Sequence, residues 1–125
     1  MNNKKITASV EDYLEIIYDQ LEKTQKIKAV DISKKLNISR ASVTEALQKL
    51  AQKNYIKYEK NCPIELTETG RAIAKEVVYK HQILCEFFTK ILKIEKEEAE
   101  INACRIEHVI TQKAFEKIIE LVKEY

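Results

Sequence analysis

The sequence predicts a mainly α-helical chain, with an N-terminal winged helix-turn-helix over residues 1–72 and an all-helical domain over residues 73–125. Three observations carry this expectation. One Gly and one Pro in 125 residues leave few positions for the special backbone angles that the turns of an all-β fold need. Hydrophobic residues make up 45% of the chain and recur mostly at three- and four-residue spacing, the period of one helix face. That period gives way at one place to a short run of strand formers, Tyr55-Ile56-Lys57-Tyr58-Glu59, with a turn and a return strand behind it.

The first helix opens at Ser9, which forms a capping-box pattern with Asp12, and carries Val10, Tyr13, Leu14, Ile17 and Leu21 as one apolar stripe. Asp12 and Glu15 lie three apart on the side away from that stripe. Lys23 to Lys28 is a polar break. A short second helix, Ala29 to Leu36, buries Val30, Ile32 and Leu36. Asn37-Ile38-Ser39 is a tight turn, and Ser39 caps a third helix that runs to Lys53 with Val43, Leu47 and Leu50 inward. Two helices joined by three residues, each too short to stand alone, form a helix-turn-helix. The strand formers at 55–59, the turn Lys60-Asn61-Cys62-Pro63 and the return Ile64-Glu65-Leu66 form a small hairpin, the wing. Thr67 caps a long fourth helix reaching Leu92, in the junction Leu66-Thr67-Glu68-Thr69-Gly70. A fifth helix is expected from Glu95 to Val109. Thr111 caps a sixth, whose Phe115, Ile118, Ile119 and Val122 are flanked by Ala114, Leu121 and Tyr125. That last helix is apolar over more of its circumference than one protomer needs, which predicts a homodimer.

The same composition excludes several classes. A balance of 45% hydrophobic and 34% charged residues supports a packed core rather than disorder. No run approaches the roughly 20 apolar residues of a membrane span, and MNNKKITAS lacks the apolar stretch of a signal peptide. Three cysteines without paired spacing argue against a disulfide framework, and together these features predict a cytoplasmic protein. Net charge is only +2, yet residues 23–60 hold 10 basic and 3 acidic side chains. Such a basic block suggests a local polyanion-binding surface, against the plainer reading of a solvated charged face.

Cys104-Arg105-Ile106-Glu107-His108 is the stretch richest in chemistry. On a helix, positions 104, 107 and 108 present thiolate, carboxylate and imidazole side by side, three common metal-ligand types at chelating spacing. The only other histidine, His81, lies on an apolar helix face, and Asp12 and Glu15 add carboxylates that a winged helix does not need. Singly, each has a plain structural explanation: a satisfied core histidine, helix-start carboxylates, a small buried thiol. Together, behind a winged helix, they point to a metal.

From Ala8-Ser9-Val10-Glu11-Asp12-Tyr13-Leu14-Glu15 through Val78-Tyr79-Lys80-His81 to Ala103-Cys104-Arg105-Ile106-Glu107-His108-Val109, the chain resembles the diphtheria-toxin-repressor family of metal-dependent transcriptional repressors. It is most similar to the short two-domain branch, the manganese transport regulators, with no SH3-like third domain expected. The resemblance implies that Asp12, Glu15, His81, Cys104, Glu107 and His108 are the metal ligands, for one or two ions per subunit. It also marks a hybrid: Asp12 and Glu15 match the manganese branch, Cys104 matches the iron branch, and Cys85 stands where both branches tend to carry Glu. Carboxylates favour Mn(II), whereas a thiolate shifts preference toward Fe(II), Co(II) or Zn(II).

The expected function is therefore a homodimeric, metal-activated repressor of manganese or iron homeostasis genes, and not an enzyme. The third helix is expected in the major groove, with Ala41, Ser42, Glu45 and Gln48 nearest the bases. Ser39, Arg40, Thr44 and Lys49, with Lys57 and Lys60 of the wing, are expected near phosphates of a near-palindromic double-stranded operator. No membrane and no small organic substrate is implied. The rival reading is a thiol-based redox sensor on the same fold, using Cys62, Cys85 and Cys104 without a metal effector. A metalloenzyme built on His81, Glu107 and His108 lacks a recognisable substrate cavity or phosphate loop. A winged helix serving only as a protein-interaction module leaves the basic block unexplained.

Overall fold

Leu14 and Ile17, four residues or fewer apart on one helix, anchor the N-terminal half of the computed structural model, which describes residues 8–24 and 26–125. Of the N-terminal nonapeptide only Ala8 and Ser9 fall within these, and Gln25 of the polar break lies outside them. The chain divides into two compact units, Met1–Lys75 and Glu76–Tyr125. In the first, α1 (Ala8–Thr24), α2 (Ala29–Leu36) and α3 (Arg40–Gln52) precede the antiparallel strands β1 (Ile56–Lys57) and β2 (Glu65–Leu66) and the start of α4 (Glu68–Glu86). Their shared core is Leu14, Ile17, Ile27, Ile32, Val43, Leu47, Leu50, Ile56, Ile64 and Ala74. Ser9, expected as the cap of α1, already lies inside the helix.

The helix-turn-helix follows its sequence signals closely. Asn37 ends α2 in the left-handed region (φ 58°, ψ 49°), where Asn is better tolerated than most residues, and its N–H donates to Ser33 O. Ser33 Oγ donates to Ile38 O at 2.6 Å. Ser39 then caps α3 by accepting from Ser42 N at 3.1 Å. The hairpin pairs Ile56 with Leu66 and Lys57 with Glu65. It is shorter than the expected strands because the chain turns at Glu59, whose carbonyl accepts from Cys62 N, and Pro63 has no N–H to extend the ladder. Ile64 N instead donates to Ile27 O at 2.9 Å, tying the hairpin to the entry of α2.

The Leu-Thr-x-x-Gly junction has a direct explanation. Thr67 Oγ1 lies 2.8 Å from Asn54 O and 3.0 Å from Tyr55 O, donating to them and accepting from Gly70 N at 3.1 Å. Thr67 N also donates to Tyr55 O. This knot brings the first turn of α4 so close to Tyr55 that a Cβ on Gly70 would stand 2.0 Å from Tyr55 O. Only Gly fits.

In the second unit α4 continues to Glu86, not Leu92. A π-helical turn, Phe87–Ile91, follows it, with Thr89 Oγ1 donating to Cys85 O at 2.9 Å. Beyond it come α5 (Lys96–Ile106) and α6 (Gln112–Glu124), the latter capped by Thr111 accepting from Ala114 N. α5 is shorter than expected, so Glu107 and His108 lie in the turn just past its last residue. Glu107 still keeps helical angles, and its N–H still reaches Ala103 O. Ile83, Leu84, Ala103 and Phe115 form this unit's core, with Ile118, Ile119 and Val122 packed half-buried against it. Tyr79 meets Phe115 edge-on at 5.9 Å. Ile101, Val109, Leu121 and Tyr125 remain exposed on the same unit. No helix among the described residues is long and apolar enough to cross a membrane.

Candidate functional site

His81 is the centre of the second unit's polar cluster. It sits one turn before Cys85 on α4, and α5 faces it with Glu100, Cys104 and, just past the helix end, Glu107. His81 Nδ1 lies 2.8 Å from Glu107 Oε1, and Nε2 lies 2.8 Å from Glu100 Oε1. Cys85 Sγ is 3.5 Å from the same Nε2. Carboxylate oxygens only accept, so both ring nitrogens carry protons and the ring is an imidazolium. The Glu107 hydrogen bond is the main cause that lifts its pKa to about 9; burial opposes it and Glu100 assists it. Glu100 is lowered in turn by His81. Burial, with Glu100 close by, pushes the Cys85 thiol up to about 12.

Glu107 is the unusual group. Its side chain is 1% exposed, and Oε2 has no hydrogen-bond partner among the described residues. His108 Nε2 lies 3.4 Å from that oxygen, close but not in hydrogen-bonding geometry. A buried carboxylate oxygen left unpaired is costly unless a cation belongs beside it. Donor atoms of His81, Cys104 and Glu107 lie within 4.8 Å of one another, as do those of His81, Cys85 and Glu100. Small inward movements would bring either set to the spacing that ligands take around one first-row ion. The residues fit a divalent metal.

The structure thus brings together His81, Cys104, Glu107 and His108 in one unit, and adds two donors that sequence reading did not place in the site, Cys85 and Glu100. Asp12, exposed, and Glu15, half-buried, are on α1 in the first unit. The signal for the missed pair was present: Cys85 follows His81 by four residues, and Glu100 precedes Cys104 by four, the spacing of one helix face.

The residues expected at DNA lie together as well. Arg40, Ala41, Ser42, Glu45, Gln48 and Lys49 are exposed on α3, Thr44 is half-buried there, and Ser39 caps it. Lys57 is exposed on β1 and Lys60 in the turn behind it. Lys49 is paired with Glu45 at 3.9 Å across one helical turn.

Residues 5–62 match the family model for the iron dependent repressor N-terminal DNA binding domain, and residues 67–125 match that for the iron dependent repressor metal binding and dimerisation domain. The chain belongs to the diphtheria-toxin-repressor family. Within this family of metal-dependent, DNA-binding transcriptional repressors it falls beside the manganese regulators. It is 34% identical over 119 residues to the HTH-type transcriptional regulator MntR of Bacillus subtilis, covering 95% of this chain and 83% of the relative. An uncharacterized HTH-type transcriptional regulator of Methanocaldococcus jannaschii is 34% identical over 114 residues, 90% of this chain and 91% of that one. Among solved structures, the manganese regulator SloR superposes with a TM-score of 0.79 at 27% identity. The T. acidophilum IdeR structure superposes with a TM-score of 0.80 at 26% identity. These alignments cover 93% and 90% of this chain but 54% and 53% of the solved chains, so the chain spans about half the length of both solved relatives.

Proposed function

We propose that the chain is a homodimeric repressor of manganese or iron homeostasis genes whose DNA binding is switched on by a divalent metal. The observation that carries this reading is the buried Glu107 Oε2, which has no hydrogen-bond partner among the described residues and lies 3.4 Å from His108 Nε2, inside the domain that family members use for metal binding. The proposed ligands are Asp12, Glu15, His81, Cys104, Glu107 and His108, with Cys85 and Glu100 as further donors on the Nε2 side of His81. When bound, a metal supplies the positive charge that this carboxylate-rich set lacks. Asp12 and Glu15 belong to the DNA-binding unit and the other four to the second unit, so ligands drawn from both would couple the two. Such coupling is a population shift, requiring tighter metal binding by the DNA-competent arrangement.

The choice of metal rests on donor chemistry. Four carboxylates among the proposed ligands and added donors would favour Mn(II), and two thiols pull toward Fe(II), with Co(II) or Zn(II) able to occupy the site in vitro. The names of the relatives favour manganese. A purely thiol-based switch is less well supported, because a Cys85 thiol pushed to about 12 is a poor nucleophile at neutral pH. The test is an anaerobic, chelator-controlled titration of duplex binding against Mn(II), Fe(II), Co(II) and Zn(II). Metal-dependent binding led by Mn(II) or Fe(II) is expected; binding indifferent to every metal would overturn the reading.

A further inference from the structure

The His81 ring separates two unlike environments. Nδ1 faces Glu107, whose side chain is 1% exposed, and Nε2 faces Glu100, whose side chain is 47% exposed. Both carboxylates come from one stripe: Glu100, Cys104 and Glu107 stand at i, i+4 and i+7 along α5 and the helical residue that continues it. That stripe grips the ring at its two ends, at 2.8 Å each. On the Nδ1 side, Glu107 Oε2 is buried without a hydrogen-bond partner among the described residues. That side therefore calls for a cation. On the Nε2 side no buried side-chain oxygen or nitrogen of the described residues is left in that state. Glu100 accepts the ring N–H there, and the Cys85 side chain hydrogen-bonds to the same carboxylate. A groove of about 420 Å3, lined by Cys85, Thr89, Lys96 and Glu100 among others, opens beside them.

We propose that Glu100 is a positioning residue of the metal centre: by accepting Nε2–H of His81 it fixes the tautomer and ring orientation that present Nδ1 to an ion held with Cys104 and Glu107. The proposal deepens the repressor reading and rests on it. A ring whose Nε2–H is kept on Glu100 has only its Nδ1 proton to give up. Losing that proton releases Nδ1 and Glu107 Oε1 together, because each occupies the other in the metal-free protein. One event thus yields two donors on the side where a buried oxygen calls for a cation. Glu100 stays on the far nitrogen, outside the coordination sphere, where a carboxylate acceptor also makes the imidazole a more basic ligand. It becomes a donor itself only when the ring is used the other way round, with Nδ1–H kept on Glu107.

Zn(II) alone, added to the full chain, tests the assignment, since a diamagnetic ion leaves the ring visible by NMR. Long-range proton–nitrogen correlation spectra of the zinc-loaded wild type need no substitution. They should show His81 protonated at Nε2 and metal-bound at Nδ1, and the reverse pattern overturns the proposal. Zinc affinity, measured by competition with a chelator, then separates the hydrogen bond from the carboxylate charge. Glu100→Ala should weaken it about 10–100-fold. Glu100→Gln, whose amide oxygen still accepts from Nε2–H, should keep most of it. Equal losses in the two variants would make charge or direct ligation the cause, and no loss in either would leave the contact without a role; both results overturn the proposal. If wild-type protein binds Zn(II) but fails these tests, Glu100 alone is misassigned. If it binds neither Zn(II) nor any other divalent ion, the repressor reading fails and takes this assignment with it.

Discussion

Metal binding should expel a proton from His81. Both ring nitrogens lie 2.8 Å from carboxylate oxygens, so the metal-free ring is an imidazolium with a pKa of about 9. A metal-ligating imidazole must be neutral. At pH 7, about two units below that pKa, only about one molecule in a hundred has the ring ready to ligate, which lowers apparent affinity by about 100-fold, or about 2.7 kcal/mol. Affinity should then rise about tenfold per pH unit, from His81 alone, until pH reaches about 9. Titration calorimetry in two buffers of different ionisation enthalpy counts the protons. Wild type should release about one more per metal at pH 7 than His81→Gln. Equal release from both proteins, with affinity flat between pH 6.5 and 8.5, would refute the reasoning. Stability of the metal-free protein carries the same signature. Because the folded pKa is raised above the ordinary 6.5, the ion pairs of His81 contribute fully below about pH 6.5, and their contribution is lost as pH rises through about 9. Its melting temperature should fall across that window.

Gly70→Ala places a methyl carbon 2.0 Å from Tyr55 O and 2.9 Å from Tyr55 C, atoms that cannot rotate away. Denaturant unfolding should show a loss of about 3 kcal/mol, and a loss below about 0.5 kcal/mol would mean the junction is loose. Cys104→Glu should move the ranking of activating metals toward Mn(II) by replacing a thiolate with a hard oxygen donor; an unchanged ranking removes Cys104 from the ligand set. Arg40→Ala should weaken binding to all duplexes alike, whereas Glu45→Ala should relax preference at one position, since Glu accepts well from cytosine N4. Identical behaviour of the two variants across a set of operator mutants would argue against that division of labour.

Local signals carried most of the first unit. α2 begins at Ala29 and ends at Leu36 as read, because Asp31 caps its entry and Asn37 adopts the left-handed turn at its exit. Ser39 and Thr67 cap α3 and α4 through side chains written in the sequence. Helix ends without such markers went astray. Apolar periodicity continues through Phe87 and Phe88, so nothing local announced the π-helical turn after Glu86, which depends on backbone bonding rather than side-chain pattern. The end of α5 at Ile106 was hidden likewise, because Glu107 retains helical angles. In the candidate site, His81, Cys104, Glu107 and His108 were legible as unusual residue types at chelating spacing. Glu100 was marked only by its four-residue spacing from Cys104, a weak signal, since a Glu on a charged helix is ordinary until α4 is laid beside it and His81 Nε2 lies 2.8 Å away.

The central claim is that a divalent metal held by the second unit's donors raises DNA affinity. It is tested most directly by measuring duplex affinity with chelator and with saturating Mn(II), side by side for wild type and His108→Ala. The account predicts a rise of at least about tenfold, or about 1.4 kcal/mol of coupling, for wild type and none for His108→Ala, which should remain a folded dimer. Equal affinity of wild type in chelator and in metal would contradict it.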